Sequence, residues 1–304
     1  MSNPVCLVTG ASSGIGAATV ETFAAHGYDV AINYNSGRER AEAIAAKLEQ
    51  SFGVAAIPMQ ADLSESASPF GLVDQTYNHF KRLDVVISNS GVANYVPDAD
   101  GKLVRFRFHE TPVDHLQREM DRVLELNLLG AYRLTQRAIH YMLEQAAREA
   151  ADGTSPLHRS VVVIASISDE APESTRIPYG ASKAALNHVV LGAALEGGPH
   201  NITVNALRPG VIDTPLTSRP SGIRDPDRDR EMSVSEVYQL MAEGGSQAIP
   251  RIGTAEEIAN AALAFARIPY MTGQLIAIDG GFTLSNGFAN RDLFLNEGLR
   301  LRRE

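Results

Sequence analysis

Short apolar runs rich in β-branched residues alternate along the chain with longer stretches whose apolar positions recur at helical spacing. The strand-like runs fall at residues 5–9, 30–33, 55–58, 85–88, 161–165, 203–207 and 275–278, and helix-like stretches occupy residues 15–26, 38–52, 116–150 and 179–195. Strands that read as continuous apolar runs are buried on both faces, as in parallel sheets covered by right-handed crossover helices. The pattern therefore predicts an α/β fold, a single doubly wound parallel sheet (Rossmann-type) with helices on both faces. Thr254 followed by Glu257 forms a capping box that starts the helix leading to the last strand.

Three segments depart from this pattern: residues 93–112, 219–246 and the tail after Gly281. Asp100-Gly101 suits a hairpin turn in the first, and the second carries a charge run at 224–231 beside prolines, so both read as surface excursions. The tail ends Leu299-Arg-Leu-Arg-Arg303, which suits either an added intersubunit strand or a frayed, solvated terminus.

Composition narrows the function. Among 304 residues, 44% hydrophobic and 21% charged, no apolar run approaches the roughly 20 residues that span a bilayer, so no membrane partner is expected. The first residues lack the basic and apolar segments of a secretion signal, and a cytoplasmic location is expected. Cys6 is the sole cysteine and sits in an apolar run, so it reads as a small buried hydrophobe without an internal disulfide. The eight histidines show no ligand spacing, and no metal is expected. A net charge of -9 argues against nucleic-acid binding and favours small-molecule chemistry.

Candidate chemistry begins at the first strand-to-helix junction, Thr9-Gly-Ala-Ser-Ser-Gly-Ile-Gly16. Gly10, Gly14 and Gly16 permit a tight turn and close backbone approach, while the helix N-terminus offers free N–H groups to a pyrophosphate. The second strand ends Asn33-Tyr-Asn35-Ser36-Gly-Arg38 without a carboxylate for a free ribose. Ser36 and Arg38 suit a 2′-phosphate, so NADP is favoured over NAD. Tyr179 and Lys183 stand at i and i+4, one face of a helix, where an ammonium beside a phenol favours phenolate and proton exchange near neutral pH.

These motifs, with others in the same order, resemble the short-chain dehydrogenase/reductase family over about residues 4–281. The cofactor loop matches 9–16, Asp62 the acid after the third strand, Asn89-Ser90-Gly91 the Asn-Ala-Gly motif and Asn127 the helix asparagine. Ser166, Tyr179 and Ser182-Lys183 match the active-site motif, and Pro209-Gly210 with Ile212 and Thr214 the segment beside the nicotinamide. The resemblance implies an oxidoreductase that interconverts a ketone and a secondary alcohol. Tyr179 would be general acid or base, Ser166 would hold the substrate oxygen, and Lys183 would assist the phenol and bind the nicotinamide ribose. Asn127 would hold a water linking Lys183 to solvent. Ser12, Ser13, Ile15, Asn35, Leu63 and Ser90 join the expected cofactor contacts, Asp62 is expected to meet the adenine amino group, and Ser168 reads as loop or supporting residue. The implied organisation is a dinucleotide-binding and catalytic domain over 1–281, with the insertion 93–112, a substrate lid over about 216–246, and an extension, 282–304.

Residues 250–258, 272–274 and 279–281 resemble the 3-oxoacyl-carrier-protein reductase branch. An acidic carrier needs a basic docking patch. Arg133 and Arg137 offer one, but residues 196–201 lack Arg or Lys. A free small ketone, sugar or sugar acid is therefore ranked above an acyl-carrier substrate. Arg105 and Arg107 suit a carboxylate or phosphate, or the polar side of an exposed hairpin. Met232, Val237, Tyr238, Leu240 and Met241 supply an apolar lid face, with core packing the role of most. A catalytically inactive dinucleotide-binding scaffold is the alternative from another class. The resemblance also implies a homo-oligomer, tetramer or dimer, joined through the helices at 116–148 and 179–195 and the last strand.

Overall fold

Seven parallel strands in the order β3-β2-β1-β4-β5-β6-β9 form the sheet of the computed structural model, which describes residues 3–93, 106–155, 157–285 and 290–303. They are β1 (Val5–Val8), β2 (Asp29–Tyr34), β3 (Ala56–Gln60), β4 (Val85–Ser88), β5 (Arg159–Ile164), β6 (Ile202–Pro209) and β9 (Leu275–Ile278). The crossover helices are α1 (Gly14–Ala25), α2 (Arg38–Phe52), α3 (Ser68–Phe80), α4 (Val113–Leu124), α5 (Ala131–Ala151), α6 (Ile177–Gly197) and α8 (Ala255–Ala266). Strand order reverses between β1 and β4, so the loops leaving them diverge and open a crevice at the sheet's C-terminal edge.

Alternation along each buried strand divides the core into two layers. Cys6 and Val8 of β1 face a layer that contains Val20 and Phe23 of α1 and Ile258 and Ala262 of α8, whereas Leu7 faces Leu72 of α3, Leu134 of α5 and Leu186 of α6. The capping box at Thr254 and Glu257 is present at the start of α8.

The stretch expected as one helix over 116–150 is interrupted. A π-helical turn, Glu125–Gly130, joins α4 to α5. Gly130 lies so close to the loop after β3 that a Cβ there would stand 2.5 Å from the Leu63 carbonyl oxygen. The wider turn also brings Asn127 to the strand edge, where it bonds Val92.

Residues 220–246 carry β7 (Pro220–Asp225) and β8 (Arg230–Ser233), which pair antiparallel, followed by α7 (Val234–Met241) and a π-helical turn, Ala242–Ser246. The tail is neither strand nor frayed coil, because α9 (Arg291–Arg303) docks on this hairpin and helix. Its apolar face closes a third core in which Leu295 joins Met232, Val237, Tyr238, Leu240, Met241 and Phe282. Small residues permit the approach: a Cβ on Gly298 would stand 1.8 Å from the Leu240 carbonyl oxygen. Arg302 forks onto Asp225 at 2.9 and 3.2 Å, and Arg303 bonds Asp227 at 3.0 Å. Spacing alone hid this helix, since its arginines find their acids in a hairpin some 75 residues earlier. The expected Asp100-Gly101 hairpin and Arg105 lie outside the described residues.

Candidate active site

The crevice at the strand reversal is a cleft of about 570 Å³, within the size range of small-molecule sites. Gly10, Ser12, Ser13, Gly14 and Ile15 form one wall, Asn89, Ser90 and Gly91 the floor, and Pro209, Gly210, Ile212 and Thr214 the opposite wall. Gly10 and Gly14 have φ of 62° and 54°, the left-handed region that favours glycine. Gly16 does not line the cleft. A Cβ there would stand 2.5 Å from the Gly10 carbonyl oxygen, so this glycine lets α1 pack on the loop.

Ser13 caps α1 without a side-chain hydrogen bond, and no acid occupies the first turn. The helix thus presents free N–H groups and its positive end to the cleft. Thr214 closes over the loop, 3.3 Å from where a Gly14 Cβ would be. These features fit a dinucleotide pyrophosphate. Two asparagines fix the strand ends: Asn33 accepts from the Gly10 N–H at 3.1 Å, and Asn89 donates to the Thr9 carbonyl at 2.8 Å. Asn33 was not singled out in the sequence; its polar side chain inside an apolar strand is the signal.

At the end of β2 the structure separates residues expected together. Asn35 and Ser36 line the cleft, but Arg38 points outward to Glu42 at 2.8 Å and is absent from the lining. The cause is helical phase, since α2 begins at Arg38 and its first residue faces solvent. Arg40, passed over in the sequence, lines the cleft and donates to the Ser12 carbonyl at 3.3 Å. Asp62 and Leu63 line the same end. The Asp62 carboxylate accepts from the Ser64 hydroxyl and N–H at 2.6 and 2.9 Å and from Asn35 at 2.9 Å, and these bonds, Ser64 foremost, hold its pKa below the usual carboxylate range.

The catalytic candidates converge at the other end. Pro178 sits in the first turn of α6, a position that costs no hydrogen bond, and it places Tyr179 at the helix entrance with Lys183 one turn on. Both line the cleft beside Ser166. The Lys183 ammonium is buried, donates to the Ile164 carbonyl at 3.0 Å and lies 5.8 Å from the Tyr179 ring centre. Burial pulls its pKa below the usual lysine value.

Ser166 caps a short turn, Ile167–Asp169, and its hydroxyl accepts from the Ser168 N–H at 3.1 Å. Ser168 lines the cleft as well. That turn is fastened from behind by a buried ion pair, Arg208 to Asp169, with both contacts at 2.6 Å, and Asn187 of α6 bonds the same carboxylate. Neither Arg208 nor Asp169 stood out in the sequence, because the pair is formed between separate strand ends.

Asn127 is buried and does not line the cleft. Its amide accepts from the Val92 N–H at 2.8 Å and donates to the Val92 carbonyl at 3.0 Å and the Ser182 hydroxyl at 3.2 Å. These side-chain bonds tie the loop after β4 to α6 at Ser182. Arg133 and Arg137, weighed as a docking patch, pair with Glu125 and Asp74. Arg107 lies outside the cleft lining.

The family model described as enoyl-(acyl carrier protein) reductase matches residues 10–283. The chain is 34% identical over 280 residues, 91% of this chain and 95% of the relative, to the protein named ketoacyl reductase 2 of the granaticin polyketide synthase of Streptomyces violaceoruber. It is 30% identical over 284 residues, 93% of this chain and 94% of the relative, to 3beta-hydroxysteroid dehydrogenase 1 of Eggerthella lenta. Among solved structures, the 3-oxoacyl-[acyl-carrier protein] reductase of Brucella melitensis in complex with NAD superposes with a TM-score of 0.76 at 28% identity, covering 93% of this chain and 98% of that one. Acetoin dehydrogenase of Salmonella typhimurium does so with a TM-score of 0.72 at 26% identity, covering 93% and 98%. A parallel sheet with a glycine-lined dinucleotide cleft, matched over nearly its whole length by these relatives, makes this chain an oxidoreductase of the short-chain dehydrogenase/reductase family.

Proposed function

We propose that this enzyme interconverts a small ketone and its secondary alcohol, with Tyr179 as general acid and base and NADP(H) as the preferred cofactor. One observation carries the reading: Tyr179, one helical turn from the buried ammonium of Lys183, lines the same cleft as Ser166. A bound nicotinamide dinucleotide supplies or accepts the hydride. In the reductive direction the Tyr179 phenol donates its proton to the carbonyl oxygen as negative charge develops there, and the Ser166 hydroxyl donates a hydrogen bond to the same oxygen. The Lys183 ammonium, held by the Ile164 carbonyl at 3.0 Å, favours the phenolate left behind. Asn127 keeps Val92 and Ser182 fixed around this group.

Arg40 and Ser36, at the adenosine end of the cleft, supply the cation and hydroxyl that a 2′-phosphate needs. The free ketone is favoured over an acyl chain on a carrier because Arg133 and Arg137 are neutralised by their own acids. Exposed Leu116, Leu129 and Tyr132 on the α4–α5 face, Leu191 and Leu195 on α6 and Ile276 on β9 support a homo-oligomer built on those surfaces. No helix among the described residues is long and apolar enough to cross a membrane, and the cytoplasm is the proposed compartment.

A carbonyl and alcohol panel run with both cofactors, on wild type and Tyr179→Phe, tests the reading. Tyr179→Phe should retain NADPH affinity and lose at least about a hundredfold in turnover, the usual scale of a general acid. Turnover retained in that variant would sink the mechanism, and a wild type that binds NADPH without reducing any carbonyl would favour the inactive scaffold.

A further inference from the structure

Resting on that reading, we propose that Glu173, Arg176 and Tyr238 are positioning residues for the proton donor: they fix the ring of Tyr179 and make its orientation depend on how α7 is seated. The contacts form one chain. The Arg176 guanidinium lies over the Tyr179 ring, 4.7 Å from its centre. Glu173, with a side chain 8% exposed, uses its two oxygens to accept from that guanidinium at 2.8 Å and from the Tyr238 hydroxyl of α7 at 3.2 Å. One buried carboxylate thus joins α7 to the group stacked on the catalytic phenol.

The backbone prepares this chain of contacts. Arg176 is the N-cap of α6 and its carbonyl accepts from the Gly180 N–H at 3.1 Å, so the stacked side chain and the helix that carries Tyr179 share an origin. Thr175, just before it, holds φ of 70°. β-Branched residues rarely adopt that conformation unless surrounding contacts impose it. Burial, then the Glu173 carboxylate, pushes the Tyr238 phenol above its ordinary value, so at neutral pH it remains a donor to Glu173.

Arg176 acts here by contact more than by charge. Glu173 offsets its charge at hydrogen-bond distance, whereas Lys183, 5.8 Å from the same ring centre, already supplies the cation that favours phenolate. A planar guanidinium on an aromatic face restricts how the ring tilts and slides. α7 is in turn held by α9, where Gly298 meets the Leu240 carbonyl, and Arg291 of α9 lines the recess that Glu173, Arg176 and Tyr238 share. That recess is about 10 Å³, room for one water at most. A shift of Tyr238 is therefore passed on to Glu173 and Arg176 and is not absorbed between them.

The test uses the full chain, the best ketone of the panel, and the variants Tyr238→Phe, Glu173→Gln and their combination. Each single variant should lower kcat by about threefold to tenfold, less than the roughly hundredfold of an ångström-scale misplacement, with KM for the ketone and the dissociation constant for NADPH within about twofold. The isotope effect on kcat with NADPH deuterated at the transferred hydrogen should be no smaller than in wild type, because the loss falls in the chemical step. The double variant should be within about twofold of Glu173→Gln, since both changes act through one contact. Hydrogen exchange at the Gly180 amide should be unchanged, which separates ring orientation from a loosened helix entrance. Unchanged kcat in both single variants, additive losses, a loss confined to KM, a diminished isotope effect or faster Gly180 exchange would each overturn the inference and leave the carbonyl chemistry standing. A wild type that reduces no ketone, or a Tyr179→Phe variant that keeps its turnover, would instead sink the proposed function and this inference with it.

Discussion

The backbone carbonyl oxygen of Ser168 stands 2.8 Å from the point that a Cβ on Gly180 would occupy. That distance is shorter than any carbon side chain tolerates, so the glycine after Tyr179 sets how closely α6 approaches the turn bearing Ser166. The two oxygens expected to meet one substrate atom are positioned across this contact.

Gly180→Ala should therefore push the helix from the turn while leaving the cofactor wall untouched. A misplacement near 1 Å in a catalytic constellation costs on the order of a hundredfold. We expect kcat to fall by about tenfold to a hundredfold, with the dissociation constant for NADPH changed by less than about twofold. Fluorescence titration and steady-state kinetics on the same preparation check this; an unaltered kcat would show that the contact relaxes without moving Tyr179.

Cofactor choice separates two arginines of α2. Arg38 pairs with Glu42 on the solvent face, whereas Arg40 reaches the cleft beside Ser12. Arg40→Ala should raise KM for NADPH by about tenfold or more, the loss of one charge-assisted bond to phosphate, with a smaller effect on NADH. Arg38→Ala should leave both values within about twofold. The reverse pattern would return the phosphate to Arg38.

Acid should loosen the start of α7 in a defined window. The guanidinium of Arg230, then the Ser233 N–H at 2.8 Å, hold the Glu236 carboxyl down at about 2. A carboxylate with a depressed folded value contributes stability that is complete above its ordinary range near 4.3 and disappears as pH falls through the folded value. Protection of the first α7 amides from hydrogen exchange should thus decline from about pH 4 toward pH 2. The effect is local and modest, because the Glu236 side chain is 40% exposed and solvent screens the pair. In Glu236→Gln this part of the acid response should vanish; identical profiles for both proteins would remove Glu236 as its source.

Much of the scaffold was legible because it is local. All seven sheet strands were marked by apolar runs, α2 was delimited to the residue, and the Thr254–Glu257 box marked the start of α8. Arg38 and Arg40 show what one-dimensional reading lacks: both are basic and two positions apart, and the phase of a helix decides which lines the cleft. α9 was illegible for another reason. Its arginine-rich end reads as solvated until the acids of the β7–β8 hairpin are folded against it. The ion pair of Arg208 and Asp169 has the same origin, since neither charge predicts its partner before the sheet assembles.

The π-helical turn between α4 and α5 acts as an inserted register mark. Residues after it are rotated relative to those an uninterrupted α-helix would present, so Asn127 faces Val92 and Gly130 faces Leu63. Removing one residue from 125–130 would straighten the rod and turn everything on one side of the deletion by about 100°. The helix would survive such a loss, yet the cleft lining at Val92 would lose the amide that spans it. Length, as much as residue identity, is what this stretch must keep.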